Sequence, residues 1–332
     1  MRIAVTGSIA TDHLMVFPGR FTDQLVPDRL DRVSLSFLVD DLRIHRGGVA
    51  ANIAFGLAQL DLTPILVGAV GPDFADYRAW LESHGVDTTS VHVSATRHTS
   101  RFLCTTDESQ NQIASFYAGA MSEARDIDLA GVAAHHGGLD LVLIAPNDPD
   151  AMLRHTRDCR TRGYRFAADP SQQLARLTGP QIRDLVDGAE LLFTNEYEHD
   201  LLLSATGWTR DDVLRRVGRW ITTLGENGVR IESGTEPLQA IPAVPADTVV
   251  DPTGVGDAFR AGFLAGLSRQ TGIAQAARIG AALASFALEA AGGQEYVFVP
   301  EEFLARLRTT YGTDAAADIE RRLLAGAVRS RP

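Results

Sequence analysis

Short apolar runs recur along the chain at 3–6, 65–70, 141–144, 165–168, 191–194 and 221–224, none longer than six residues. Runs of that length, rich in Val, Ile and Leu and bounded by polar residues, predict strands buried on both faces. Between them apolar residues recur with the helical period at 75–84, 150–162, 196–205 and 211–220. The last third reads as helix at 255–267 and 273–290, before a charged tail from Asp314. Strands alternating with helices predict an α/β, three-layer α/β/α sandwich with a mostly parallel central sheet. Ala and Gly crowd the 273–292 stretch, which predicts a close approach to a neighbouring element.

Two regions change period. Residues 33–39 alternate apolar and polar, as do Leu42 and Ile44 before Arg46. Two more alternating runs, 101–106 and 112–117, flank the polar turn 107–111 and read as a hairpin. Period two marks strands with one wet face, so these pieces predict a small separate β-sheet. A lid over the carboxyl ends of the main strands is its expected place, because open α/β sheets bind ligands there. The expected division is an α/β body of 1–12, 47–98 and 119–332, with a lid of 13–46 and 99–118.

The 332 residues carry a net charge of −11, with 45% hydrophobic and 22% charged residues. That balance argues against a broad basic surface for nucleic acid or an anionic membrane. Any phosphate must therefore be held by local devices such as helix N-termini, a few arginines or a cation. Cys104 and Cys159 are far apart and have no metal-binding spacing, so free thiols of a reducing compartment are expected, with no structural zinc. The N-terminus reads as a strand and not as a signal peptide, and no apolar run reaches membrane-spanning length. A cytoplasmic protein is the expectation.

The most informative stretch is Asp251-Pro252-Thr253-Gly254-Val255-Gly256-Asp257, which opens an apolar-periodic helix. Its glycines free the backbone to turn, and the N–H groups of Gly254, Val255 and Gly256 with the helix N-terminus would form an anion hole. Asp257 at its lip is either a helix N-cap or a general base that takes a proton from an alcohol attacking a phosphoryl group. Gly47-Gly48 precede another helix that carries Asn52, a donor and acceptor one turn in. Asp12, just past the first strand, could accept hydrogen bonds from two vicinal ribose hydroxyls, or simply be solvated.

Thr223-Leu224-Gly225-Glu226-Asn227-Gly228 ends a strand with two glycines that let a nucleotide lie against main chain; it lacks the Gly-Lys-Ser/Thr of a P-loop, and a hairpin would read alike. Asn195 and Glu198 could offer oxygens to magnesium or its waters, and equally match a capping box. Gln172, Gln173 and Arg176 suit a base edge and a phosphate, or plain surface polarity. Phe102 and Phe116 on the hairpin could stack on an aromatic ring or pack within the lid.

Taken together, these stretches resemble the ribokinase-like (PfkB) family of carbohydrate kinases, through Gly47–Ala54, the Asn-x-x-Glu at 195–198, the Thr-x-Gly-x-x-Gly at 223–228 and Asp251–Phe259, in that order. Pro252 and Val255 stand where the family more often has Thr and Ala, and the first signature lacks the lysine and glutamine of ribokinases proper. The stretches 7–13, 168–173 and 251–259 look most like the adenosine kinases of actinobacterial type. The resemblance implies ATP-dependent phosphorylation of the adenosine 5′-hydroxyl, with Asp257 as base, the 254–256 amides and Arg176 meeting developing charge, and magnesium as cofactor. It implies that Ser8, Asp12, Gly48, Asn52, Phe102, Phe116, Gln172 and Gln173 hold the nucleoside, and that Asn195, Thr223, Gly225 and Gly228 contact ATP. A potassium-type site near Asp251 and the 288–295 loop, and a homodimer formed through lids with Leu35, Phe37 and Val39 outward, are further implications. The alternatives are a kinase of the same fold acting on ribose, fructose, a sugar phosphate or another nucleoside, and a non-catalytic nucleoside-binding protein.

Overall fold

The computed structural model describes residues 1–25 and 36–324. The main sheet comprises β1 (Ile3–Thr6), β4 (Ile65–Val70), β5 (Val91–Val93), β8 (Leu141–Ile144), β9 (Phe166–Ala168), β10 (Leu191–Asn195), β11 (Arg219–Thr223), β12 (Val229–Glu232) and β13 (Gln239–Ile241). Its order is β13-β12-β11-β10-β9-β8-β1-β4-β5. Every pairing is parallel except β11–β12 and β12–β13. Alternate residues enter opposite cores. Ile3 and Val5 of β1, with Leu141 and Leu143 of β8, face one cluster; Ala4, Val142 and Ile144 face the other. Helices must cover both faces of such a sheet, and that is the ribokinase-like three-layer arrangement.

A second sheet contains β2 (Ala10–Val16), β3 (Asp41–Gly47), β6 (Ser100–Thr106) and β7 (Gln112–Tyr117), in the order β3-β2-β6-β7. Its hairpin is β6–β7, closed over Asp107 as expected from the period-two runs; Asp107 accepts from the amides of Phe21, Ser109 and Asn111.

Three expectations need correction. The stretch 211–220 is not one helix: a helix Arg210–Leu214 ends early, and β11 starts at Arg219. Val213, Leu214, Val217 and Trp220 mimic helical spacing, but the amides of Gly218 and Arg219 bond to the carbonyls of Ala189 and Glu190 and draw the chain into the sheet. Of the expected strand 33–39, residues 33–35 lie outside the described residues, and 36–39 have no strand structure. Phe37 does not face outward for a partner. Its ring lies 4.9 Å from that of Phe17 and 5.3 Å from that of Phe21, an aromatic cluster within the chain. Among the apolar residues exposed on the lid are Leu42, Ile44 and Ile113. The register places them on one face of the small sheet.

The C-terminal tail continues as helices Pro300–Tyr311 and Thr313–Ile319, anchored by buried Phe303, Leu307 and Ile319. Cys104 and Cys159 are both free and buried, and burial pushes the Cys159 thiol up to about 12. Among the described residues no helix is long and apolar enough to cross a membrane.

Candidate active site

The strands β1, β8, β9, β10 and β11 all run the same way, so the residues just past their carboxyl ends gather at one edge. The loop after β1 supplies Ser8 and then Asp12 on β2. Ser8 turns out to be a brace as well as a candidate contact: its Oγ accepts from the Val49 amide at 3.0 Å and its carbonyl from Ala50 at 3.1 Å, which secures the helix Val49–Gln59. Gly48 enters that helix at φ 93°, and a Cβ there would lie 2.6 Å from both the Ala10 nitrogen and the Ser8 carbonyl oxygen. No other residue fits that hinge without displacing the chain.

The lid register aligns His45, Asp12, Phe102 and Phe116 in one cross-strand row, so their side chains share a face. Phe116 is 47% exposed. Burial raises the Asp12 pKa to about 6; His45 works against that rise and Asp251 adds to it.

The helix Val255–Ser268 begins after Gly254, which is left-handed at φ 78° and packs so closely on Gly293 that a Cβ would lie 2.6 Å from its Cα. The amides of Gly254, Gly256 and Asp257 have no acceptor among the described residues and are open to an anion, but that of Val255, expected to join them, donates to the Pro252 carbonyl at 3.4 Å. Asp257 is half-buried beside them. It accepts from Asn52 Nδ2 at 2.9 Å. Burial pushes its pKa up to about 7, against the Asn52 hydrogen bond and the Arg260 charge, while Asp169 and Asp12 add to the rise. A carboxylate that titrates near neutrality is suited to taking up a proton.

The cation next to Asp257 is Arg260, not Arg176. Arg260 pairs with Asp169 through Nε–Oδ2 at 2.5 Å and Nη2–Oδ1 at 2.7 Å, and Arg260 Nη1 donates to the Gly256 carbonyl at 3.0 Å. Both partners are buried. Burial pushes Asp169 up to about 6, and burial opposes the charge on Arg260, yet Asp169 holds that charge in place. Arg176 is exposed at the end of the 171–175 turn and makes no side-chain hydrogen bond among the described residues. The sequence did carry a signal for Arg260, an arginine between Phe259 and Ala261 on an otherwise apolar helix face.

Gln172 is exposed and Gln173 is buried, with its Oε1 unpartnered. Ser171 between Pro170 and the pair adopts φ 45°, a left-handed conformation costly for serine. Its hydroxyl lies 2.7 Å from Gln172 Oε1 and 3.3 Å from Glu198 Oε1.

Asn195 and Glu198 form the capping box that their spacing allowed, Asn195 N to Glu198 Oε2 at 2.8 Å and Glu198 N to Asn195 Oδ1 at 2.7 Å. Each carboxylate oxygen of Glu198 thus holds one hydrogen bond and keeps a lone pair for a metal-bound water. Nothing else acidic completes a cage: among the described residues no three His, Cys, Asp or Glu side chains cluster as metal ligands.

Thr223, Gly225, Glu226 and Gly228 line a cavity of about 550 Å³ together with Val244, Pro245, Val249, Ala284 and Leu288. Val255 and Gly256 line it too, so it opens onto the anion hole. Leu224 and Asn227 do not line it; their backbone bonds to Gly228 and to each other close the turn. Asn195 sits beside Thr223 in the β10–β11 ladder. Asp251 stands behind the hole, its oxygens accepting from Thr253 N at 2.8 Å and Gly292 N at 2.9 Å, and this ties the 251–253 turn to the 288–295 segment.

A ribokinase-like body with a small second sheet, a cavity of about 550 Å³ and an aspartate in the first turn of a glycine-led helix together make the layout of a small-molecule kinase. Residues 6–299 match the pfkB family of carbohydrate kinases, and the chain belongs to that family. It is 32% identical over 289 residues to a nucleoside kinase of Methanothermobacter thermautotrophicus, covering 86% of this chain and 92% of that one. A nucleoside kinase of Burkholderia thailandensis solved with inosine superposes with a TM-score of 0.81 at 32% identity, over 94% of this chain and 98% of the other. The same enzyme solved with ADP and inosine gives 0.79 at 34% identity, over 94% and 96%. The narrower likeness to actinobacterial-type adenosine kinases gives way here to archaeal and bacterial nucleoside kinases.

Proposed function

We propose that this chain transfers the γ-phosphoryl group of ATP to the 5′-hydroxyl of a nucleoside, with adenosine as acceptor. The observation that carries the reading is the pairing of two halves: a cavity ending at the 254–257 anion hole, and a lid row of Asp12, Phe102 and Phe116 on the acceptor side. ATP places its base in the cavity and its phosphates at the N-terminus of the helix Val255–Ser268. Asp12 accepts from the 2′ and 3′ hydroxyls, Asn52 and Gly48 support the ribose, and the base stacks on Phe102 and Phe116 with Gln172 and Gln173 at its edge. Asp257 takes the 5′-hydroxyl proton as that oxygen bonds to the γ-phosphorus and the bond to the β-phosphate oxygen breaks, giving the nucleoside monophosphate and ADP. The open amides of Gly254, Gly256 and Asp257 meet the developing charge, while that of Val255 stays on the Pro252 carbonyl. Glu198 and Asn195 would hold magnesium through its waters, and the ion would supply charge neutralisation at the phosphates.

A phosphorylated acceptor fits less well. Arg101 is bound to Asp73 at 2.7 Å and Arg46 lies 4.3 Å over the Trp80 ring, so neither is free for a second phosphate. Inosine is the second reading, because the Burkholderia relative was solved with it and a glutamine amide can face either purine. A potassium-type cation would sit between Asp251 and the carbonyls of the 288–295 segment. Pairing of two copies through the lids would cover Leu42, Ile44 and Ile113, which sedimentation of Ile44→Asp beside the parent chain checks. Buried, unpaired thiols fit a cytoplasmic setting.

The deciding experiment is ADP release with magnesium-ATP and, separately, adenosine, inosine, guanosine, cytidine, ribose and fructose 6-phosphate, with Asp257→Asn as control. A nucleoside preference that disappears in the variant supports the reading, and its order among purines fixes the acceptor. Preference for a bare sugar or a sugar phosphate overturns it.

A further inference from the structure

Asp257 is joined to the Gly47 hinge through Asn52 and two further buried side chains, Gln294 and Tyr77, to which phosphoryl transfer gives no role. Asn52 Nδ2 donates to Asp257 Oδ2, and Asn52 Oδ1 accepts from Gln294 Nε2 at 3.0 Å. Gln294 Nε2 also donates to the Tyr77 hydroxyl, and Tyr77 donates to the Gly47 carbonyl at 2.8 Å. Asn52, Gln294 and Tyr77 are exposed by only 5%, 1% and 5%, so water does not compete for these bonds. They come from three segments distant in sequence.

The polarity of the whole line follows from its last bond. A carbonyl can only accept, so the single Tyr77 hydrogen belongs to Gly47. Burial holds the Tyr77 phenol protonated, which keeps that hydrogen in place. The Tyr77 oxygen must then accept, and only the nitrogen end of the Gln294 amide can serve it. The other hydrogen of that nitrogen turns to Asn52, which therefore presents Oδ1 to Gln294 and Nδ2 to Asp257. Two amides that could each face either way are left with one orientation.

We infer that Tyr77 and Gln294 are positioning residues that lock the Asn52 amide with its NH₂ group on Asp257 and tie that lock to the lid hinge at Gly47. The inference rests on Asp257 being the base. Gly47, expected in the body, is the last residue of β3, so the acceptor that orients the line belongs to the small sheet itself. A shift of that carbonyl removes the constraint on Tyr77 and, through it, on both amides.

An amide N–H favours the ionised carboxylate, whereas an amide oxygen turned to the same place disfavours it. The other groups facing Asp257 are Arg260 on its own helix, Asp169 past β9, Asp12 on β2 and the Tyr296 hydroxyl. Three of them are anionic or neutral, so loss of the Asn52 donor leaves Arg260 and the helix N-terminus as the aids to ionisation.

The test is the pH profile of kcat, from about pH 5.5 to 9, for the parent chain, Gln294→Met and Tyr77→Phe, with nucleotide affinity and melting temperature alongside. Gln294→Met should lower kcat about tenfold at pH 7 and move the acid limb up by about one unit, with activity returning at high pH. Tyr77→Phe should move it the same way by less, with nucleotide affinity unchanged in both. An unmoved acid limb in folded variants overturns the lock, and so does a loss equal at every pH, which would mark packing alone. Tyr77→Phe removes one oxygen and carries the test if Gln294→Met fails to fold. Asp257→Asn is read separately: if it keeps turnover, the base assignment falls whatever the two positioning variants do.

Discussion

The cavity between the 223–228 turn and the helix Ile273–Leu288 is walled mainly by Val, Ala, Pro and Leu, and its one carboxylate, Glu226, stands on an exposed turn. Across the 254–257 turn the materials change. Asp12, Asp169 and Arg260 all lie close enough to shift Asp257, and Asn52, itself backed by Gln294, donates to it. On the proposed reading one side recognises by shape and main chain, where a hydrophobic wall would hold a planar ring at little electrostatic cost. The other gathers charges in low dielectric, where each is costly and therefore responsive. The two sides should answer differently to mutation.

The sharpest break is Asp257→Asn, expected to lower kcat by about 10²–10⁴-fold while ATP affinity stays that of the parent in a calorimetric titration. Next is Arg260→Met, which strands Asp169 as an unpaired buried charge. It should cost about 3–5 kcal/mol of stability in thermal unfolding, largely recovered in the double variant with Asp169→Leu. On the other side, Ala284→Phe should fill the cavity and raise the KM for ATP about tenfold, with nucleoside affinity unmoved. Phe116→Ala should weaken nucleoside binding by about 2–10-fold and leave ribose binding unchanged; an equal loss for both would remove the stacking role.

The smallest effect concerns stability. Asp257 holds its proton up to about pH 7 when folded, against 3.8 ordinarily, so its stabilising contribution is complete below 3.8 and is lost as pH rises through 7. Above that point Asn, which cannot ionise, should raise the melting temperature by a few degrees. At about pH 4 the two chains should melt together. A difference independent of pH would mean that the carboxylate is not the strained group.

These contrasts explain what could be read from residues alone. Ile3–Thr6 and Leu141–Ile144 announce themselves because burial on both faces demands unbroken apolar residues. Gly254 and Asp257 are legible because a turn and a helix start are local. The stretch 211–220 deceived because Val213, Leu214, Val217 and Trp220 fit a helical face, while the choice of strand was made by carbonyls of Ala189 and Glu190 some thirty residues away. Arg176 looked suitable by composition; only packing shows that Arg260 is the residue folded against Asp169. The Tyr77–Gln294–Asn52 line has no spacing at all, since its bonds span 217 and 242 residues.

Cys104 on β6 and Cys159 are the chain's two thiols, and both are buried, the second with a strongly raised pKa. Maleimides need an accessible thiolate, so the native protein is already blank toward them. Cysteines introduced at Ile113 on the lid, 46% exposed, and at Tyr197 on the body, 75% exposed, would be the reactive handles. A dye pair on those two positions would turn the angle between lid and body into a fluorescence signal, readable one molecule at a time in otherwise native protein.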